Sequence, residues 1–211
     1  MYRLIINEKE YQYPEHTTFL TVAQQFQKEY DDDIVLVLYN NRLRELNKEI
    51  PGDGTLSFVT VMENAGRKAY RRSLTLLMQR AVYNLAKERG TTWQVKVLHS
   101  IGNAYYCELG EKEPVTEEYL GALKEEMTRI VREKLPIQKR SIHTEDAVKL
   151  FAELGMKDKE KLFRYRRSSR MNIYSIGNYV DYFYGYMVPD TGYLQYFDLQ
   201  CYEEGFVLIF P

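Results

Sequence analysis

The first 63 residues alternate between strand-like and helix-like patterns of hydrophobic positions. Two short runs of strand type, joined by a polar turn, predict a hairpin at the start of the chain. Apolar residues then recur at helical spacing over residues 19–26, and Thr17 or Thr18 is expected to cap this helix. Aliphatic runs at residues 34–39 and 55–61 predict two further strands. This order of elements predicts a small β-grasp domain.

A long amphipathic helix is predicted directly after this region. Residues 67–89 contain neither proline nor glycine and repeat apolar side chains every three or four positions. Downstream, the pattern predicts two strands, a helix capped by Thr116 and a third strand, at residues 93–99, 104–109, 117–134 and 137–142.

The last third of the chain is rich in predicted strands. A short helix over residues 145–154 is expected to begin at a Thr144 cap, and another follows at 157–163. The predicted strands cover residues 172–175, 179–182, 193–199 and 206–210. The whole pattern predicts an α+β fold class, with a boundary between a domain of residues 1–63 and a second domain of residues 64–211.

Composition and charge exclude several classes of protein. The 211 residues are 45% hydrophobic and 28% charged, as in ordinary globular proteins. The formal net charge is −1, so any anion site must be a local patch. No apolar run approaches the roughly 18 residues of a membrane-spanning helix, and two cysteines are too few for a disulfide framework. These features predict a cytoplasmic protein with free thiols and no membrane partner.

Nineteen tyrosines are the compositional outlier, and they concentrate between Tyr165 and Tyr202. Tyrosine combines an apolar ring with a hydroxyl group that needs a hydrogen-bond partner. Two interpretations stay open, namely a half-exposed sheet and a binding surface.

Residues 177–192 carry the most informative motif, GNYVDYFYGYMVPDTG. This segment resembles the end of the editing domain of threonyl-tRNA synthetase, where G-(D/N)-(F/Y)-V-D-x-C-x-G-x-H-V-P-x-T-G supplies a Cys and a His to a metal-type cluster. Here Phe183 stands at the Cys position and Met187 at the His position. The family's H-S-x-x-H helix start aligns with residues 72–76, so Arg72 and Leu76 replace its two histidines and Ser73 keeps its serine.

Residues 1–63 resemble the TGS domain, a ubiquitin-like β-grasp module found at the start of the same synthetase. The resemblance rests on the segments Tyr13–Thr18, Tyr39–Leu43 and Gly52–Leu56. It implies a β-grasp domain followed by an editing-like α+β domain, in which a long helix packs against an antiparallel sheet.

The four aligned ligand positions have lost the chemistry that holds a metal ion. Leu76 and Phe183 offer no lone pair, Met187 offers only a thioether, and the Arg72 guanidinium repels a divalent cation. We therefore expect no metal and no cofactor. Asp181 survives at the position of the family's aspartate, and Arg72 is its expected partner.

Three interpretations of this degenerate cleft follow. A hydrophobic and ion-paired plug is the simplest, because a lone aspartate without a base or a metal meets few requirements of catalysis. A retained catalytic pocket is the second interpretation. In the third, the cleft binds a ligand without transforming it, between Arg72, Asp181 and the tyrosines around Tyr182 to Tyr186.

A basic run beside Tyr165 is a second candidate site. Guanidinium groups next to an aromatic ring can bind phosphate or stack on a base, whereas the simpler interpretation is a solvated face or an interdomain set of ion pairs. The candidate anion-binding residues are Arg164, Arg166, Arg167 and Arg170. A further basic cluster, Arg67, Lys68, Arg71 and Arg72, lies at the start of the long helix, where the helix dipole disfavours cations.

The combined domains, and the wording of residues 172–199, resemble the N-terminal half of bacterial uridine-kinase-like proteins. That resemblance implies a noncatalytic accessory or ligand-binding region, with a downstream ATP-binding kinase domain as its partner and a nucleotide or RNA as a possible ligand. The chain itself lacks a G-x-x-x-x-G-K-[ST] loop, H-E-x-x-H and G-x-S-x-G. The alternatives are a residual aminoacyl-tRNA editing hydrolase, with Asp181 orienting water, and an RNA- or tRNA-binding module.

Overall fold

The computed structural model describes residues 1–92, 94–110, 115–165 and 168–211, with the backbone only at positions 157 and 158. The chain divides into two compact units. The first comprises residues 1–137 together with residues 185–211, and the second comprises residues 138–184. The predicted boundary between residues 63 and 64 stays a prediction.

The first unit begins with a five-stranded mixed sheet. Its strands are β1 (Tyr2–Ile6), β2 (Lys9–Tyr13), β3 (Ile34–Tyr39), β4 (Arg42–Glu45) and β5 (Gly54–Thr60), in the order β2-β1-β5-β3-β4. Strands β1 and β5 run parallel, and the other pairs are antiparallel. Strands β1, β2, β3 and β5 and helix α1 (Phe19–Phe26) are elements predicted from the sequence, whereas β4 is not predicted, and the β-grasp classification itself stays a prediction.

Helix α1 starts where the capping chemistry places it. The Thr18 hydroxyl accepts a hydrogen bond from the Thr21 N–H at 3.2 Å, which settles the choice between the two candidate caps. The buried residues of α1 are Phe19, Val22, Ala23 and Phe26, the same residues that define the helical spacing in the sequence.

Helix α2 (Asn64–Glu88) follows at once and packs against helix α3 (Glu117–Glu133). Gly66 allows α2 to begin there, because a Cβ at this position would lie 2.0 Å from the Thr60 carbonyl oxygen. A four-stranded antiparallel sheet completes the unit, in the order β11 (Asp198–Tyr202), β12 (Gly205–Ile209), β7 (Ala104–Leu109) and β6 (Val95–Ile101).

The second unit is a three-stranded sheet with two short helices. The strands are β8 (Ile137–His143), β9 (Arg170–Ile176) and β10 (Tyr179–Tyr182), in the order β10-β9-β8, and β8 begins at the last residue of the first unit. Helices α4 (Thr144–Glu153) and α5 (Lys157–Arg164) pack together through Phe151 and Phe163, whose ring centroids are 5.3 Å apart. The mixed helices and sheets agree with the predicted α+β class.

Two local predictions are wrong. Only the last two residues of the predicted strand 193–199 are in a strand, because a 3₁₀ turn occupies Thr191–Tyr193 and β11 begins only at Asp198. The Tyr70 hydroxyl accepts from the Tyr196 N–H at 2.9 Å and donates to its carbonyl oxygen at 2.8 Å, so these backbone groups are taken by a side chain. Thr144 is not a cap but the first residue of α4, and its hydroxyl donates to the Ser168 carbonyl oxygen.

The predicted strand over residues 93–99 is observed two positions later, as β6, and Trp93 lies outside the described residues. Among the described residues, none of the helices combines the length and the apolar character needed to cross a bilayer. Cytoplasmic localisation stays a prediction.

Candidate functional site

Ser73 on α2 fixes the segment that carries the aligned His position. Its side chain is fully buried, and its hydroxyl donates to the Ala69 carbonyl oxygen at 2.8 Å, one helical turn earlier. The same oxygen accepts the Val188 N–H at 3.0 Å. Ser73, which matches the serine of the family motif, therefore has a structural role here, because it binds the backbone of Val188 to helix α2.

Arg72 lies against the same segment. Its Nη1 is 3.5 Å from the Tyr186 carbonyl oxygen. A Cβ at Gly185 would lie 2.5 Å from the Arg72 Cζ, and Gly185 has φ +120°, a conformation that side chains with a Cβ rarely adopt. The glycine between the two aligned ligand positions thus makes room for the guanidinium group.

The other two ligand positions of the first unit are apolar and buried. Leu76 is fully buried one turn after Arg72, and Met187 is 2% exposed. The structure therefore brings Arg72, Ser73 and the Met187 segment together, beside the buried Leu76, and the role of these residues as a degenerate cleft stays a prediction. Phe183 and Asp181 belong to the second unit, where Phe183 is half-buried.

Two residues at the end of β4 complete the site, and the sequence analysis missed them. Glu45 is 7% exposed, and its Oε1 accepts the Met187 N–H at 3.1 Å. The Asn47 amide donates to the Pro189 carbonyl oxygen at 2.9 Å. The only signal for Glu45 in the sequence is a charged residue next to the apolar Leu46, and this pattern is too common to reveal a partner 142 positions away.

Asp181 is engaged within the second unit. The carboxylate is 1% exposed, forms an ion pair with Lys159 of α5, and accepts the Tyr182 N–H at 2.5 Å. Lys159 is a second residue that sequence reasoning missed. The predicted pairing of Asp181 with Arg72 joins residues of the two units and stays a prediction. A carboxylate that already binds an ammonium group and a backbone N–H has little freedom to orient a water molecule.

The structure describes two of the four candidate anion-binding arginines, Arg164 and Arg170. Arg164 pairs with Glu160, one turn earlier in α5. Arg170 donates to the Ser141 side chain and carbonyl oxygen, at 3.1 and 2.8 Å, and lies 3.1 Å from the His143 ring nitrogen. Arg166 and Arg167 lie outside the described residues. Both described arginines thus have partners in their own unit, and the anion site stays a prediction.

The tyrosines do not form one surface. Tyr174 and Tyr179 are buried, while Tyr165 and Tyr184 are largely exposed. The two cysteines are free thiols, and burial raises the pKa of Cys107 to about 12. A thiol of this kind is a small core residue rather than a nucleophile.

We predict that the purified chain binds no stoichiometric zinc. Among the described residues, no group of three or more His, Cys, Asp or Glu side chains is placed to hold a metal ion. Elemental analysis after dialysis against zinc, followed by removal of free metal, measures this directly. One retained zinc ion per chain would contradict the prediction, and a threonyl-tRNA synthetase fragment with its ligand residues intact serves as the positive control.

Comparison with known proteins finds threonine–tRNA ligases that are similar to this chain. The threonine–tRNA ligase of Carboxydothermus hydrogenoformans is 28% identical over 194 residues, which cover 92% of this chain and 30% of the ligase. That of Acidithiobacillus ferrooxidans is 30% identical over 190 residues, covering 90% and 29%. That of Syntrophomonas wolfei is 26% identical over 185 residues, covering 87% and 28%. No family model matches the chain.

The chain is therefore homologous to the N-terminal region of threonyl-tRNA synthetase, and it spans about 30% of the length of these relatives. The predicted synthetase-like character is confirmed at this level. These relatives give no support to a uridine kinase parent, which stays a prediction.

Proposed function

We propose that this chain is a noncatalytic RNA-binding module of the threonyl-tRNA synthetase type, which holds the acceptor end of a tRNA without hydrolysing an ester. The observation that carries the proposal is homology over about nine-tenths of the chain, combined with the loss of all four aligned ligand side chains. Homology to tRNA ligases supports RNA as the ligand, and the missing donors argue against activation of water.

The surroundings of Arg72 support binding rather than hydrolysis. A guanidinium group is a permanent cation whose N–H groups match phosphate and carboxylate oxygens. Among the described residues its one hydrogen-bond partner is the Tyr186 carbonyl oxygen, at 3.5 Å. The remaining N–H groups can therefore donate to an anionic ligand at the place where a relative would hold its metal.

A residual hydrolase is the enzymatic alternative, and it requires Asp181 to orient the attacking water. The contacts of Asp181 with Lys159 and the Tyr182 N–H argue against that role, because they occupy the carboxylate in the resting protein.

A nucleoside kinase parent is a second candidate context, favoured by the resemblance of residues 172–199 to uridine-kinase-like proteins. In that context the RNA- or nucleotide-binding module positions or regulates a downstream ATP-dependent kinase domain. In that context this chain binds the ligand, and the kinase domain carries out phosphoryl transfer.

Binding of a tRNA acceptor-stem minihelix ending in CCA tests the proposal. By fluorescence anisotropy we expect saturable binding that weakens steeply with salt. Arg72→Ala should weaken binding about tenfold, the loss expected for one charged hydrogen-bond donor. Lys87→Ala is the matched control, because it removes a positive charge from the exposed last turn of the same helix.

The same samples decide between binding and hydrolysis. Mischarged tRNA-Thr should lose its amino acid at the rate seen in buffer. Faster deacylation that Asp181→Ala abolishes would establish the hydrolase instead, and absence of minihelix binding at low salt would remove the proposed function altogether.

A further inference from the structure

The exposed face of α5 carries two large apolar side chains. Tyr165, directly after the last helical residue, is 88% exposed, and Leu162, three positions earlier, is 58% exposed. Residues three or four apart on a helix are neighbours, so Lys161 and Leu162 lie on the side of Tyr165. The opposite side of α5 is anchored, because Phe163 is buried against Phe151 and Tyr182, at centroid distances of 5.3 and 5.0 Å.

Charge selects the kind of partner that this face accepts. Residues 138–184 contain ten Lys and Arg against six Asp and Glu, a net charge of +4, whereas the rest of the chain carries 19 against 24, a net charge of −5. The second unit is therefore a basic body within a chain of nearly zero net charge. Such an asymmetry attracts a polyanion to this unit and repels it from the other.

The side chains beside Tyr165 are suited to phosphate. Lys161 is exposed and forms no ion pair with the residues whose side chains are described. Arg164 is 62% exposed and pairs only at the surface with Glu160, so a phosphate can compete for its guanidinium group. An exposed aromatic ring flanked by cations is the arrangement that binds an unpaired nucleotide, with the base stacked on the ring and the backbone next to the cations.

We propose that the α5 surface, defined as Lys161, Leu162, Arg164 and Tyr165, binds a single-stranded segment of RNA by stacking one base on Tyr165. Leu162 extends the apolar platform below the sugar, and Lys161 and Arg164 contact the adjacent phosphates. This proposal rests on the RNA-binding function proposed above, and it names where an unpaired nucleotide is held.

The test compares Tyr165→Ala with two controls in the full chain, using a short fluorescent oligouridylate, the acceptor minihelix and phosphatidylserine vesicles. Tyr165→Ala should weaken oligouridylate binding about 5- to 100-fold, the range for loss of one base stack. Tyr165→Phe keeps the ring and should bind as the wild type does. Tyr196→Ala removes a tyrosine that is 67% exposed in the first unit, and it should change nothing. Lys161→Gln should lower the salt slope by about one.

Each result separates this proposal from the proposed function. If the wild type binds the minihelix, and Tyr165→Ala binds both RNAs with the same affinity as the wild type, the α5 surface is not an RNA site although the module binds RNA. If the wild type binds neither RNA, both proposals fail. Vesicle binding that depends on Tyr165, without binding of oligouridylate, would assign the surface to a membrane and overturn the proposal.

Discussion

Lys159→Met is expected to lower the free energy of unfolding by about 3–4 kcal/mol, because it leaves a buried carboxylate without its counter-charge. The Asp181 side chain is only 1% exposed and cannot reach water in the folded protein. The Lys159 side chain is 30% exposed, so its ammonium group has a route to solvent when the partner is lost.

Because Asp181 is buried and Lys159 is partly exposed, substitutions of the two residues should have different costs, and comparing them is a sharper test than either substitution by itself. Asp181→Asn should cost about half as much as Lys159→Met, since the amide oxygen can still accept the Tyr182 N–H and Lys159 can turn outward. The double variant should be more stable than Lys159→Met. Urea unfolding followed by circular dichroism measures all three, and equal losses in the two single variants would contradict a buried ion pair with this geometry.

Glu45→Ala is expected to lower the free energy of unfolding by about 2 kcal/mol, within the range for a hydrogen bond that involves a charged group. The substitution removes the acceptor of the Met187 N–H in a buried environment. Glu45→Gln retains an oxygen at the same position and should recover most of the loss. The comparison is made by urea unfolding at the same pH.

The structural role of Glu45 also predicts an effect on the binding of the minihelix. Because Met187 lies two residues after Gly185, against which Arg72 packs, Glu45→Ala should weaken minihelix binding while Glu45→Gln preserves it. If Glu45→Ala unfolds readily but binds RNA with unchanged affinity, the segment does not position the ligand.

Most helices and strands follow from the local pattern of residues, because capping and periodicity act over a few positions. Thr18 and Thr116 cap α1 and α3 as predicted. The failed strand at residues 193–199 has a distant cause, the Tyr70 hydroxyl that takes the backbone groups of Tyr196 from 126 positions away. No local pattern contains that information.

The candidate site shows the same division. The motif alignment proposes Arg72, Ser73, Leu76 and Met187 as cleft residues, because the spacing of a motif can be recognised after its chemistry is lost, and their role stays a prediction. It does not find Glu45 or Lys159, whose roles depend on which strand end or helix face meets the motif in space. Composition does not locate a binding surface, because the tyrosines of the last third include both buried and exposed rings.

Glu45 accepts a hydrogen bond from Met187 and Asn47 donates one to Pro189, and these contacts have a practical consequence for experiments on fragments of the chain. Cutting after residue 63 would remove the acceptor of the Met187 N–H and one of the two donors to the Pro189 carbonyl oxygen, which would keep only the Ile137 N–H, and water would enter where Met187 is now sheltered. The two predicted domains therefore depend on each other for stability. Fragments that begin near Asn64 should be unstable even when every residue of the motif is present.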